Sequence, residues 1–195
     1  MSNAPVNTST RAPAAAPPAT KLRLATVWLD GCSGCHMSFL DMDQRLLDLV
    51  PHIDLVYSPL VDVKEFPESV DLTLVEGSVS TDEDVLKIQR IRQHTKILLV
   101  LGDCAVTGNV PGMRNPFALE SVLNRAYVEN AQLRKQVPNK YLPTLLPQVR
   151  PVHEVVKVDV FVPGCPPPAD AIFYVLSELL AGRTPDVGSV TRFGR

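Results

Sequence analysis

Short, continuous apolar segments alternate with amphipathic segments along most of the chain. The apolar segments predict five strands, at Lys21–Trp28, at His52–Leu60, at Val70–Val75, from Lys96 to Cys104, and from Val158 to Cys165. Strands that are apolar throughout and separated by helical patterns are typical of a parallel sheet covered on both faces.

The segments between the strands predict helices, at Ser38–Val50, from Ser80 to about His94, from about Phe117 to Asn130, and from about Ala169 to Ala181. The first has an apolar stripe opposite an acidic face, and the second begins with a capping-box sequence. Four prolines in Gln136–Pro151 predict an extended excursion there instead of a packed element.

Together these elements predict a flavodoxin-like, doubly wound α/β domain with strand order 2-1-3-4-5 over residues 21–195. Residues 1–20 are rich in Ala, Pro, Ser and Thr, with Arg11 as their only charged side chain. Such a segment buries too little apolar surface to offset the entropy lost on ordering, so we expect a disordered tail.

The four cysteines of the chain all follow predicted strands. Cys32 and Cys35 form a C-x-x-C pair after the first strand, and Cys104 and Cys165 follow the fourth and fifth strands. Ligand sites in doubly wound sheets lie beyond the carboxyl ends of the strands, so the simplest prediction is one site with four thiolates.

Several other interpretations of these cysteines compete with a cluster site. Isolated cysteines can be small buried hydrophobes, and a C-x-x-C pair can be a redox disulfide. Structural zinc sites usually combine two local pairs, whereas this chain has one pair and two distant cysteines, which favours an iron–sulfur cluster. Tight glycine and proline loops around Cys104 and Cys165 suit a sulfur-rich cluster that accepts amide hydrogen bonds.

Three further residues are candidates for the site or for an interface. His36 adjoins Cys35, so it could lie near the cluster, or it could be an ordinary loop histidine. Glu76 ends the third strand. It could be a proton carrier, an interface anchor or an acceptor for nearby amides. Arg114, in a loop, could meet a partner's carboxylate or be an ordinary surface residue.

Composition narrows the function classes. The 195 residues are 45% hydrophobic and carry a net charge of −2, without a basic run that would favour nucleic acid or an anionic membrane. No apolar stretch approaches the roughly 20 residues of a membrane span. With no secretory signal, we expect a cytoplasmic protein, in which thiols more often bind metal or do chemistry than form structural disulfides.

At these residues the chain resembles the small subunits of NiFe hydrogenases, and most of all those of cytoplasmic, bidirectional, NAD-linked (Hox-type) enzymes. The matching stretches are Ala25–Leu29, Gly31–Asp43, Val75–Gly77, Gly102–Thr107, Asn109–Asn115, His153–Val155 and Pro163–Pro167. The resemblance covers about residues 21–182, in the same order as in the family.

The resemblance implies that Cys32, Cys35, Cys104 and Cys165 hold one proximal 4Fe-4S cluster. It implies a separate large subunit that carries the nickel–iron centre and packs against this face. Electrons from dihydrogen would pass through the cluster to an iron–sulfur and flavin diaphorase module that reduces NAD. Some relatives carry FMN on this domain, and the sequence leaves that open, because the loop after the first strand holds the cysteine pair.

Two other function classes stay open at the level of sequence. The cluster-bearing subunit of respiratory complex I is similar in fold but has adjacent cysteines, unlike Cys32-Ser33-Gly34-Cys35. A non-catalytic zinc or flavin binding module is the other alternative. The chain ends at Arg195 without the cysteine-rich region of periplasmic small subunits, as expected for the short NAD-linked type.

Overall fold

The computed structural model describes residues 20–193. Its strands are β1 (Leu22–Trp28), β2 (Ile53–Tyr57), β3 (Val70–Glu76), β4 (Val79–Thr81), β5 (Thr95–Leu101), β6 (Leu145–Arg150) and β7 (Val160–Val162). Its α-helices are α1 (Gly34–Leu40), α2 (Arg45–Leu49), α3 (Asp82–His94), α4 (Asp103–Thr107), α5 (Asn109–Gly112), α6 (Leu119–Asn124) and α7 (Ala169–Leu180). Within this range no helix is long and apolar enough to cross a bilayer. The tail predicted for residues 1–20 lies outside the described residues, apart from Thr20.

Five of the strands form one parallel sheet in the order β2-β1-β3-β5-β7. Numbered along the chain, these five strands have the order 2-1-3-4-5, which confirms the predicted flavodoxin-like topology. The carboxyl ends of β1, β3, β5 and β7 therefore lie side by side at one edge of the sheet.

The two faces of the sheet are covered by separate apolar layers. Leu99 of β5 belongs to the layer that includes side chains of α1 and α7. Its neighbours Leu98 and Val100 belong to the opposite layer, with α3. Because successive strand residues point to opposite faces, a strand segment that is covered on both sides must be apolar throughout, as residues 97–101 of β5 are.

Helix α3 is fixed at its start by a reciprocal capping box. The Thr81 hydroxyl accepts from the Asp84 amide at 3.0 Å, and the Asp84 carboxylate accepts from the Thr81 amide at 3.0 Å. The cap thus begins one residue later than the predicted Ser80–Glu83 box, because the Thr81 hydroxyl and not that of Ser80 accepts the helix amide, while the Ser80 hydroxyl donates to the Asp30 carboxylate.

The predicted excursion at Gln136–Pro151 is only partly correct. Its second half forms β6, which pairs antiparallel with β4 in a small separate sheet. Prolines do not prevent this pairing, because a two-stranded sheet has two open edges on which a missing amide donor is tolerated.

Several predicted boundaries also differ from the structure. The single helix expected over Ser38–Val50 is two helices, α1 and α2, separated by a turn in which Asp43 has a φ of 50°. The helix expected near Phe117–Asn130 is α6 followed by a π-helical turn, Arg125–Glu129. The fourth and fifth strands end before their cysteines, at Leu101 and Val162.

Candidate metal-cluster site

The loops beyond the strand ends bring the four cysteines within electrostatic range of one another. Burial raises the pKa of the Cys35 thiol well above its usual range, and the Glu76 carboxylate and the other three cysteines add to this effect. Burial also raises the pKa of Cys104, to which Cys165 and Cys32 contribute, while the Val110 amide acts in the opposite direction.

The site is buried at one side and open at the other. Cys35 is buried and Cys104 half-buried, whereas Cys32 and Cys165 are exposed. Two of the sulfurs therefore face the surface, where a second protein could approach a bound group closely.

The chemistry of the donor set suits an iron–sulfur cluster. Among residues 20–193, no three His, Cys, Asp or Glu side chains converge closely enough to hold one metal ion. A 4Fe-4S cluster does not need such convergence, because each of its four thiolates binds a different iron. These residues therefore fit a cluster at the edge of the sheet.

Gly102 makes room for the most buried of these sulfurs. It lies between β5 and α4 with a φ of 87°, and a Cβ at this position would overlap the Cys35 sulfur. Only glycine fits both the backbone conformation and the space.

The Cys104 and Cys165 loops are held together by Asp103. Its carboxylate accepts from the Gly164 amide at 2.7 Å, and its own amide donates to the Gly164 carbonyl at 2.8 Å. The Ser38 hydroxyl of α1 donates to the Pro167 carbonyl at 2.6 Å, so the C-x-x-C helix is joined to the same loop. These bonds fix the relative positions of three cysteine-bearing segments.

Glu76 lies directly behind the C-x-x-C pair and contacts His36. Its Oε2 atom accepts from the His36 amide at 3.0 Å and lies 2.5 Å from the His36 Nδ1 atom. Both side chains are buried, and the Trp28 ring packs edge-on against His36, with 5.1 Å between ring centroids. Glu76 thus acts as an amide acceptor and places a carboxylate beside Cys35.

The Arg114 side chain binds backbone carbonyls of this chain. Its guanidinium donates to the Leu146 carbonyl at 2.9 Å and to the Pro147 carbonyl at 3.2 Å. The neighbouring Asn115 pairs with both backbone groups of Val149, at 2.8 and 2.9 Å. These two side chains dock the loop after α5 onto β6, which is a structural role.

Sequence reasoning did not select three residues that shape the site: Gly102, Asp103 and Asn109. Asn109 follows Gly108 and donates from Nδ2 to the Cys165 sulfur at 3.6 Å. A signal was present, because a Gly-Asn pair shortly after a cysteine indicates a turn with positive φ, and an acidic residue beside a cysteine often orders its loop.

Comparison with known proteins gives a consistent result. Residues 32–179 match the family described as NADH ubiquinone oxidoreductase, 20 Kd subunit. The chain is 45% identical over 179 residues to the delta subunit of the NAD-reducing hydrogenase HoxS of Cupriavidus necator, covering 89% of this chain and 86% of that subunit. It is 37% identical over 166 residues to a subunit of the vhu F420-non-reducing hydrogenase of Methanocaldococcus jannaschii, covering 84% of this chain and 58% of that longer protein.

The fold agrees with a solved structure as well. A chain in the crystal structure of an NAD+-reducing [NiFe]-hydrogenase in the H2-reduced state superposes with a TM-score of 0.85 and 40% identity. The alignment covers 89% of this chain and 99% of that one.

Proposed function

The chain belongs to the NADH ubiquinone oxidoreductase 20 Kd subunit family, and from that premise we propose that it is the electron-transferring small subunit of an NAD-reducing NiFe hydrogenase. The observation that carries the proposal is that three separate loops at the carboxyl edge of a flavodoxin-like sheet place Cys32, Cys104 and Cys165 within electrostatic range of Cys35. The Cupriavidus necator subunit, which is aligned over most of both chains, serves as the functional model.

In this proposal Cys32, Cys35, Cys104 and Cys165 hold one 4Fe-4S cluster. Such a cluster supplies one-electron chemistry when bound. The protein orients the ligands through the Asp103 and Ser38 bonds. It also shields one side from water through the burial of Cys35.

The exposed side of the site is proposed to face the large subunit that carries the nickel–iron centre. Cys32 and Cys165 are open to solvent there, and the apolar side chains of Met37, Val110 and Met113, which lie on α1, on α5 and just after α5, are more than half exposed. Apolar residues that surround an exposed functional group are typical of a protein interface. Electrons could then cross from partner to cluster over a short distance.

The outgoing electrons are proposed to leave through a diaphorase subunit and not through a second cluster on this chain. A cubane uses four thiolates, and all four cysteines of the chain are assigned to one. As to cofactors, the proposal concerns the cluster alone and neither requires nor excludes FMN on this chain. A cytoplasmic location is also part of it, since four unpaired thiols suit a reducing compartment.

The family match supports one alternative, a complex I-like quinone oxidoreductase subunit. The two functions differ at the first ligand pair, which complex I relatives are expected to have as adjacent cysteines. Here Ser33, with a φ of 61°, and Gly34 separate Cys32 from Cys35. The identity to the hydrogenase delta subunit favours the hydrogenase.

Reconstitution with the large subunit alone tests the proposed function. The pair should reduce an artificial dye with dihydrogen, because the nickel–iron centre and one cluster are enough for that step. It should not reduce NAD until the diaphorase subunits are added. NAD reduction by the two-subunit pair would show that the proposed electron route is wrong, and quinone reduction without dihydrogen activity would support the complex I-like function.

A further inference from the structure

A single turn, Gly108–Val110, places hydrogen-bond donors near two of the four sulfurs. The Asn109 side chain donates from Nδ2 to the Cys165 sulfur at 3.6 Å. The next backbone amide, that of Val110, lies near Cys104 and lowers the pKa of its thiol. Neither donor belongs to a segment that carries a cysteine of the C-x-x-C pair, so the turn acts on one side of the site only.

The backbone of this turn determines where the Asn109 amide group points. Gly108 has a φ of 85° and Asn109 a φ of 24°. The Gly108 amide donates to the Cys104 carbonyl at 2.9 Å, and the Gly112 amide donates to the Gly108 carbonyl at 2.8 Å, so the turn is held from both ends. Asparagine tolerates positive φ better than most residues, so at this position it fits the backbone conformation and also supplies the donor.

We propose that Asn109 tunes the reduction potential of the cluster by donating a hydrogen bond to its Cys165 ligand. This inference rests on the proposed function, which assigns a cluster to the four cysteines. Reduction adds negative charge to the cluster and its thiolates, and a donor to a thiolate stabilises the reduced form more than the oxidised form. Asn109 therefore raises the potential.

Glu76 acts in the opposite direction from the other side of the site. Its carboxylate lies behind Cys35, and its charge disfavours additional negative charge on the sulfurs. The Glu76 carboxylate near Cys35 thus lowers the potential of the cluster, and the donors near Cys104 and Cys165 raise it. This arrangement gives the chain two independent groups through which the potential can be adjusted.

Burial of this face by the partner subunit should strengthen the hydrogen bond from Asn109 to the Cys165 sulfur. Asn109 and Cys165 are both exposed in the single chain, so water competes for the sulfur. A subunit that covers this side would exclude that water, and a hydrogen bond is electrostatically stronger in a medium of low dielectric constant. The effect is therefore measured in the assembled complex.

The decisive variant is Asn109→Gly in the purified complex with the large subunit. Glycine keeps the positive φ and removes only the donor. A redox titration followed by EPR should show an unchanged iron content and a midpoint potential more negative than that of the wild type. The matched control is Asn139→Gly, the same substitution at an exposed loop position outside the helices and strands, and its potential should equal that of the wild type.

A second variant and a second readout complete the test. Asn109→Asp keeps the size and the backbone preference but replaces the donor by an acceptor, so its potential should be at least as negative as that of Asn109→Gly. ENDOR spectra after exchange into D2O should lose one exchangeable proton coupling in both variants. An unchanged potential, or loss of iron from both variants, would overturn the role of Asn109. Absence of a cluster from the wild-type complex would instead refute the proposed function.

Discussion

The four thiols are chemically identical, yet their surroundings give them different properties. Cys35 is enclosed by protein and lies beside a carboxylate, so burial and charge both oppose its ionisation and raise its pKa. Cys165 is open to solvent and accepts a hydrogen bond from Asn109. The four proposed ligands of one site therefore differ in burial and in hydrogen bonding.

Replacement of Gly102 by alanine should prevent full loading of the cluster. The new Cβ would overlap the Cys35 sulfur, and the φ of 87° would be strained as well, so the ligand must move. Iron analysis and the visible spectrum of the purified complex provide the measurement. The matched control is Gly112→Ala, where a new Cβ would lie 3.8 Å from the Asn115 side chain without overlap, and this variant should load normally.

Replacement of Glu76 by alanine should destabilise the protein by about 1–3 kcal/mol, the usual cost of leaving a buried amide without a partner. The His36 amide is the group that loses its acceptor. Glu76→Gln keeps an acceptor oxygen and should cost less. Denaturant midpoints of the two variants, measured with the same cluster content, should follow that order, and equal midpoints would contradict the amide-acceptor role.

At the scale of elements, the main sheet was predictable from sequence and the small sheet was not. The strand β5 is apolar at every position that two covered faces require, so its place in a parallel sheet follows from its sequence alone. The strand β6 contains Pro147 and has a partner of only three residues, β4. Its pairing depends on tertiary contacts, including the bonds from Asn115 to Val149, that no local pattern reveals.

The candidate site, too, was predictable from sequence only in part. The four cysteines could be grouped because strand ends in a doubly wound sheet meet at one edge, a consequence of topology. The bonds from Arg114 to two backbone carbonyls were not predictable, because a loop arginine gives no sign in sequence of the carbonyls that it binds. The bond from Asn109 to Cys165 joins residues far apart along the chain, and only the folded structure brings them together.

The start of helix α3 offers a test of the Thr81 cap. Thr81→Ala removes the side-chain acceptor of the capping box and should lower the free energy of unfolding by about 1 kcal/mol. Thr81→Ser retains the hydroxyl and should behave like the wild type. Equilibrium unfolding of both variants gives the measurement, and a loss of similar size in Thr81→Ser would point to the threonine methyl group instead of the cap.

At the scale of the whole molecule, the chain is organised to support one exposed edge. Two apolar layers fix the sheet, and the loops at its carboxyl edge hold the thiols toward a surface with exposed apolar side chains. Met113, just after α5, is 71% exposed. Exposed apolar side chains of this kind are typical of a surface that a partner protein covers.

Met113→Asp should weaken assembly with the large subunit, because a charge would be buried in an apolar interface. Leu86→Asp is the matched control. Leu86 is 67% exposed but lines a cleft with Tyr57 and Phe66, apart from the cysteines. Titration of the large subunit against each variant should show a higher dissociation constant for Met113→Asp only, and equal constants would argue against this face as the interface.

The metal content of the protein, prepared without oxygen, tests the central claim most directly. The wild-type chain should hold about four irons and four sulfides, without stoichiometric zinc, as one 4Fe-4S cluster requires. Cys104→Ala should lose the intact cluster, whereas Ser33→Gly, a change in the C-x-x-C loop that suits its φ of 61°, should retain it. A full and spectroscopically unchanged cluster in Cys104→Ala, or zinc in place of iron in the wild type, would contradict the four-thiolate site.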